Sequence, residues 1–214
     1  MSLPGSLYIN SACRIKQGQV WKGDHCIFRQ DAESAAGFLQ GLYKFAGLNY
    51  PKWYKMDRLS QLGILATEIL LQGTGASLGD KPTETAIILA NRHSSLDTDA
   101  RFTAQLDEIP SPAVFVYTLP NIVIGEISIR HGLKGEQAFF LMTEPELPFL
   151  VQYAQTLFAE GQTKHLVMGW LDLFRDQYEA TVFLVSENCL QATDKLFNAE
   201  NLFQYIYHEQ GAVN

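Results

Sequence analysis

An α/β fold, one sheet with helices on both faces, is predicted for this chain from three observations. Apolar runs of strand length recur along the sequence. Amphipathic stretches with helical spacing separate most of them. Glycines, prolines and polar clusters fall between the two kinds of segment. The 214 residues suffice for one large domain with a sizeable core, and residues 1–214 are read as that single domain. A content of 47% hydrophobic and 18% charged residues is ordinary for such a fold.

Residues 7–15 (LYINSACRI) alternate as a first strand. Residues 20–50 are rich in glycine and polar side chains and are read as an irregular excursion. Residues 57–72 place Leu59, Leu62, Leu65, Ala66 and Ile69 on one helical face, with Asp57 as N-cap and Gly73 as stop. Thr85–Ala90 (TAIILA) is a buried strand, followed by a polar loop over 91–97 and a helix over 98–106. Pro110 and Pro112 then punctuate the chain. Ile122, Ile124, Ile127 and Ile129 fit a strand period in part, and β-branching weakens a helix there. Residues 138–142 (AFFLM) form a short strand, apolar enough for burial on both faces. Leu147–Glu160 is an amphipathic helix stopped by Gly161. Two more strands, 165–170 and 181–185, precede a terminal helix over 201–208.

Asp and Glu number 23 against 16 Lys and Arg, a net charge of −7. That balance argues against nucleic-acid binding, which needs a basic surface. It also repels an acidic partner unless a local basic patch exists. Cys13, Cys26 and Cys189 have an odd count and no metal-ligand spacing, so they read as reduced thiols of a cytoplasmic protein. The opening MSLPGSLYIN has no signal-peptide pattern, and no apolar run reaches the roughly 18 residues of a membrane span. No P-loop or Gly-x-Gly-x-x-Gly run is present, so no nucleotide cofactor is expected. His93, Ser94, Ser95 and Asp97 hold the residue types of a hydrolytic triad. They sit in one loop without a Gly-x-Ser-x-Gly elbow, and triads are assembled in space rather than along a loop. His93 still lies after a strand, where α/β folds place ligands.

Several segments in order resemble the β-ketoacyl synthases. YKMDRLSQLGILATEILL (54–71) is similar to that family's first long helix, and IILANRHSSLDTD (87–99) to the strand and Ser-rich loop after it. Ser111–Gly135 resembles its Ser-Pro, Phe, Thr-x-x-Asn, Gly and Gly-Leu-Lys-Gly series. GQTKHLVMGWLD (161–172) resembles its Gly, strand, Gly-Gly pattern, with Trp170 where a second small residue is usual. The resemblance spans most of residues 7–187. It implies the N-terminal half of a thiolase-like protein, with a five-stranded mixed sheet, and it favours a helix over 122–131. In the family a cysteine nucleophile follows the last glycine of the series by about nine positions. Here that position is Glu144, and the 26 positions from Gly135 to Gly161 match the family's spacing. The chain stops near the middle of such an enzyme, so the second half's two histidines, lysine and Gly-rich loop have no counterparts to carry over.

A carboxylate forms no stable thioester, so the resemblance implies a catalytically impaired homologue. Two readings of Glu144 stand. Thr143-Glu144-Pro145-Glu146 reads as a capping box, or Glu144 is itself the cap, with a carboxylate favoured at the helix start. Alternatively, Glu144 mimics the carboxylate of a malonyl or acyl-enzyme group, where chain-length factors often carry glutamine. The implied function is a chain-length-factor-like partner in fatty-acid, polyketide or aryl-polyene synthesis, pairing with itself or a full-length ketosynthase. The strand before the nucleophile would pair across the dimer axis. The alternatives are a malonyl- or acyl-thioester decarboxylase or hydrolase using Glu144, and a stand-alone acyl-carrier-protein binding module. Arg130, His131 and Lys134 form the candidate docking face for the acidic carrier. No metal or cofactor is called for.

Overall fold

The computed structural model describes residues 5–75, 78–107 and 111–207, and places eight strands among them in one sheet. Pro110, His208 and Gly211 lie outside the described residues. The five strands expected from the sequence are all present: β1 (Tyr8–Lys16), β4 (Thr85–Asn91), β5 (Gln137–Leu141), β6 (His165–Phe174) and β7 (Gln177–Ser186). They are contiguous in the order β1-β7-β6-β4-β5. β4 pairs parallel to β5 and β6, whereas β7 runs antiparallel to both β6 and β1. The sheet is therefore mixed.

Eight strands replace the expected five because three short ones extend β1 on its outer edge. β2 (Gln19–Lys22) and β3 (His25–Arg29) continue it as consecutive hairpins, and β8 (Lys195–Leu196) pairs with Tyr8 and Ile9. The excursion over 20–50 is thus largely ordered structure. It also contains α1 (Ala35–Phe45), capped by Ser34, whose side chain accepts the Gly37 N–H. Phe38, Leu39 and Leu42 of α1 are fully buried. Residues 17–19 and 29–35 line an open polar cleft of about 610 Å³ with Asp176 and Tyr178.

Alternating side chains divide the sheet into two apolar faces. Ile87, Leu89, Val167, Leu171, Val182 and Leu184 point into one core, beneath α1, α2 (Arg58–Leu71) and α5 (Ile122–His131). Ile88, Leu166, Met168, Phe183 and Val185 point into the other, beneath α6 (Leu147–Ala159) and α7 (Ala199–Tyr207). Asp57 caps α2 as expected, its Oδ1 accepting the Ser60 N–H at 3.0 Å. α5 is a helix despite its isoleucines. Val123, Ile124 and Ile127 are buried at helical spacing while Ile129 faces solvent, and Gly132 closes the helix in the left-handed region at φ 69°. α3 (Leu96–Thr103) and the short α4 (Pro112–Phe115) connect β4 to α5.

β5 is an edge strand, with Phe139 packed against one core and Phe140 against the other. Phe139 and Phe140 are half-buried, Gln137 and Leu141 are exposed, and among the described residues only β4 pairs with it. α6 starts at Leu147, with Glu146 as N-cap and Pro148 in the first turn. Glu146 makes no side-chain capping bond, so neither the Thr143–Glu146 capping box nor a Glu144 cap forms. The two prolines at 145 and 148 bear on where the helix starts: a proline disfavours the helical conformation in the residue before it, and the first turn accommodates Pro148 where no N–H is needed.

Candidate functional site at the carboxyl ends of the parallel strands

β4, β5 and β6 run parallel, so their carboxyl ends open on one edge of the sheet, the position where α/β folds place ligands. Three loops meet there. The first follows β4, where the Asn91 side chain ties the turn by donating to the Ser94 carbonyl and accepting the Ser94 N–H. The second joins β5 to α6 and carries Glu144. The third is the end of the β6–β7 hairpin, turned at Arg175 with φ 58°. Arg92 connects the first two loops, its Nε donating to the Thr143 carbonyl at 2.6 Å.

Glu144 is exposed and stands three residues before α6. With Pro145, Leu147, Phe149, Phe203 and Tyr207 it lines an open, mostly apolar groove of about 1040 Å³ between the start of α6 and α7. Burial raises the pKa of the Tyr207 phenol, and the nearby carboxylates of Glu144 and Glu179 raise it further, while Arg92 opposes them. Glu144 and Tyr207 both line the groove, and Glu179 and Arg92 lie close enough for their charges to act on the phenol. A thiol is not part of this cluster. Cys13 lies buried within β1, its pKa pushed up to about 12 by burial, and Cys26 and Cys189 sit in β3 and the loop after β7.

The loop residues that resemble a triad are dispersed to other partners. Asp97 takes a two-point bond from Arg58, at 3.0 and 2.5 Å, and the Arg175 N–H at 2.9 Å. Ser95 Oγ donates to the Thr118 carbonyl at 2.8 Å. His93 instead reaches Asp172 on β6, Nδ1 to Oδ2 2.7 Å. Sequence reading singled out His93 and missed Asp172, Arg92 and Tyr207. Asp172 is 79 positions away and only the parallel register of β4 and β6 brings it close.

The candidate docking residues lie elsewhere, at the end of α5. Arg130 Nε is 2.6 Å from Glu68 Oε1 on α2, and its guanidinium sits over the Tyr50 ring at 4.7 Å. His131 Nε2 is 3.7 Å from the same Glu68 oxygen, too far for a hydrogen bond, and burial lowers its pKa against the pull of Glu68. The Lys134 side chain is exposed, and its backbone N–H donates to the Pro82 carbonyl. Arg130 and His131 thus share Glu68, while Lys134 faces solvent. Among the described residues no cluster of His, Cys, Asp and Glu has the arrangement of a metal site, and no single helix is long and apolar enough to cross a membrane.

No protein-family model and no curated protein matches the chain. Solved structures do match. The ishigamide ketosynthase/chain length factor superposes with a TM-score of 0.64 at 17% identity, over 87% of this chain and 63% of that one. A ketosynthase in complex with its chain length factor from Xenorhabdus doucetiae gives 0.57 at 13% identity, over 86% and 79%. A type II polyketide synthase assembly, an acyl-carrier protein in complex with its ketosynthase, gives 0.56 at 13%, over 88% and 64%. The fold is that of these ketosynthase and chain length factor chains. This chain spans about two thirds of the length of the first of these, 63%.

Proposed function

We propose that this chain is a catalytically impaired ketosynthase homologue that serves as a chain-length-factor-like partner in fatty-acid, polyketide or aryl-polyene synthesis. The observation that carries the reading is the carboxylate of Glu144 in the loop before α6, where the resemblance puts a nucleophilic cysteine. The fold shared with ketosynthase and chain length factor chains supports it. The open edge of β5 supports it too. An unpaired strand edge invites a second strand, and Leu141 on this one is exposed. The partner is a full-length ketosynthase or a second copy of the chain. The substrate arrives on an acyl carrier protein, with Lys134 and the neighbouring Arg130 and His131 as the docking face. Charge reversal there should weaken carrier binding in a salt-dependent way.

Co-expression with a full-length ketosynthase and an acyl carrier protein from the same genome tests this. The chain should co-elute with the ketosynthase, and its intact mass should show no acyl adduct after incubation with malonyl- and acyl-thioesters. An acyl adduct on this chain, or failure to associate either with the ketosynthase or with itself, would count against the proposal.

A further inference from the structure

The His93 imidazole is fixed on several sides. Its Nδ1 contacts Asp172 Oδ2 at 2.7 Å. The other oxygen of that carboxylate accepts the backbone N–H of His93 at 3.0 Å and of Arg92 at 3.2 Å. The ring stacks on Phe174 with centroids 5.2 Å apart and an interplanar angle of 18°. A carboxylate acceptor at Nδ1 puts the proton of the neutral ring there and leaves a lone pair on Nε2. Nε2 has no hydrogen-bond partner among the described residues, and the side chain is 30% exposed. A histidine held so firmly by one nitrogen, with the other left open, has the arrangement of a proton acceptor rather than of a satisfied core residue.

The surroundings indicate what it would act on. Arg92, the next residue, is bonded through Nε to the Thr143 carbonyl, and its charge is felt by Tyr207 in the wall of the α6–α7 groove. The groove is lined by Leu147, Phe149, Phe203 and Tyr207 and suits an alkyl chain. Arg92, the sequence neighbour of the dyad's histidine, is thus tied to the backbone of Thr143, the residue before the groove residue Glu144.

We propose that His93 and Asp172 form a general-base dyad that hydrolyses carboxylic esters or thioesters whose acyl chains lie in the groove. A water held by Nε2 gives its proton to that nitrogen as its oxygen bonds to the acyl carbonyl carbon. Asp172 stabilises the resulting imidazolium, and the Arg92 guanidinium offsets the charge on the carbonyl oxygen. The intermediate collapses as the C–S or C–O bond breaks. The leaving thiolate or alkoxide takes the proton from Nε2, so the products are a free acid and a thiol or alcohol, with no other reactant. This activity needs no synthase partner and stands apart from the role proposed above.

The test is hydrolysis by the purified full chain of p-nitrophenyl esters and acyl-coenzyme A thioesters of short and medium length, the latter read by release of free thiol. Turnover should rise with acyl length. His93→Ala should lower kcat by about 100-fold or more with an unchanged circular dichroism spectrum, and added imidazole should restore part of the rate. Asp172→Asn should lower kcat as well. His93→Gln, which keeps a donor toward Asp172, gives the same comparison if the alanine variant fails to fold. Turnover of esters but not thioesters would assign the substrate to oxygen esters. No turnover of either series by the wild type, or an undiminished rate in both His93 variants, would overturn the proposal. It would leave association with a ketosynthase to be judged separately.

Discussion

Gly169 sits in the middle of β6, opposite Val182 of β7, in the longest hairpin of the sheet. A Cβ added at Gly169 would lie 2.8 Å from Val182 Cα and 3.0 Å from the Thr181 carbonyl carbon, with the Thr181 oxygen nearer still. Ordinary contact begins at 3.4 Å, so β7 would have to retreat by at least roughly 0.6 Å. All three atoms are backbone, and no rotamer relieves the clash. Overpacking of this kind costs about 1–3 kcal/mol, and the rigid neighbour puts Gly169→Ala at the upper end. Relief of the glycine's unfolded-state entropy returns at most about 1 kcal/mol. The net is a loss of about 2 kcal/mol, or a melting temperature lower by about 4–8 °C for a domain of this size. Thermal unfolding followed by far-ultraviolet circular dichroism reads this directly. Gly125→Ala in α5 is the control. Its added Cβ meets nothing within 4 Å, and removing a helical glycine should raise stability by about 0.5–1 kcal/mol. A Gly169→Ala protein as stable as wild type would refute the reasoning, because it would mean that β6 and β7 are not in the register described.

Acid should destabilise the fold through His131 and His165. Burial lowers both imidazole pKa values below 6.5, so the unfolded chain binds more protons, and stability falls as pH drops through that value. Denaturant midpoints measured between neutral and mildly acid pH should show this slope, and His165→Gln should flatten it. Asp57 works in the opposite sense: burial raises its pKa, so its contribution is full below the ordinary carboxylate value and declines as pH rises through the folded one. Asp57→Asn, which keeps the capping oxygen, should remove that dependence, seen in the same midpoints extended to lower pH. Breaking the clamp between α2 and α5 with Glu68→Gln should cost about 1 kcal/mol by chemical denaturation, and much less when Arg130 is already alanine.

The core of the fold could be read from the sequence because it is built from local signals. TAIILA gave β4, Asp57 and Gly73 bounded α2, and Gly161 ended α6. The hairpins after β1 were harder to see. The first turns on Gln17-Gly18, with Gln17 at φ 50°, where Asn or Asp would have announced a two-residue turn. The second, Gly23-Asp24, carried a usable turn signal, but its flanking strands of four and five residues are too short to show alternation. α1 contains two glycines and was lost in the polar stretch around it. At the site, Glu144 was found through spacing, and its distance from the helix start was not, because Pro145 and Pro148 both suit a helix's first turn. Asp172 was invisible for a different reason: it is a lone acidic residue near the end of apolar β6 and acquires a role only where β6 lies beside β4.

The edge of β5 offers the most direct test of a partner subunit. The Met142 N–H is bonded to the Asn91 carbonyl on β4, so by alternation the Leu141 N–H points to the open edge. Leu141→Pro therefore removes an edge donor and leaves the β4–β5 ladder intact. Light scattering of the purified chain, alone and co-expressed with a ketosynthase, should give a dimeric mass for wild type and a folded monomer for Leu141→Pro. A wild-type protein that stays monomeric in both preparations, or a Leu141→Pro protein that pairs as well as wild type, would contradict it.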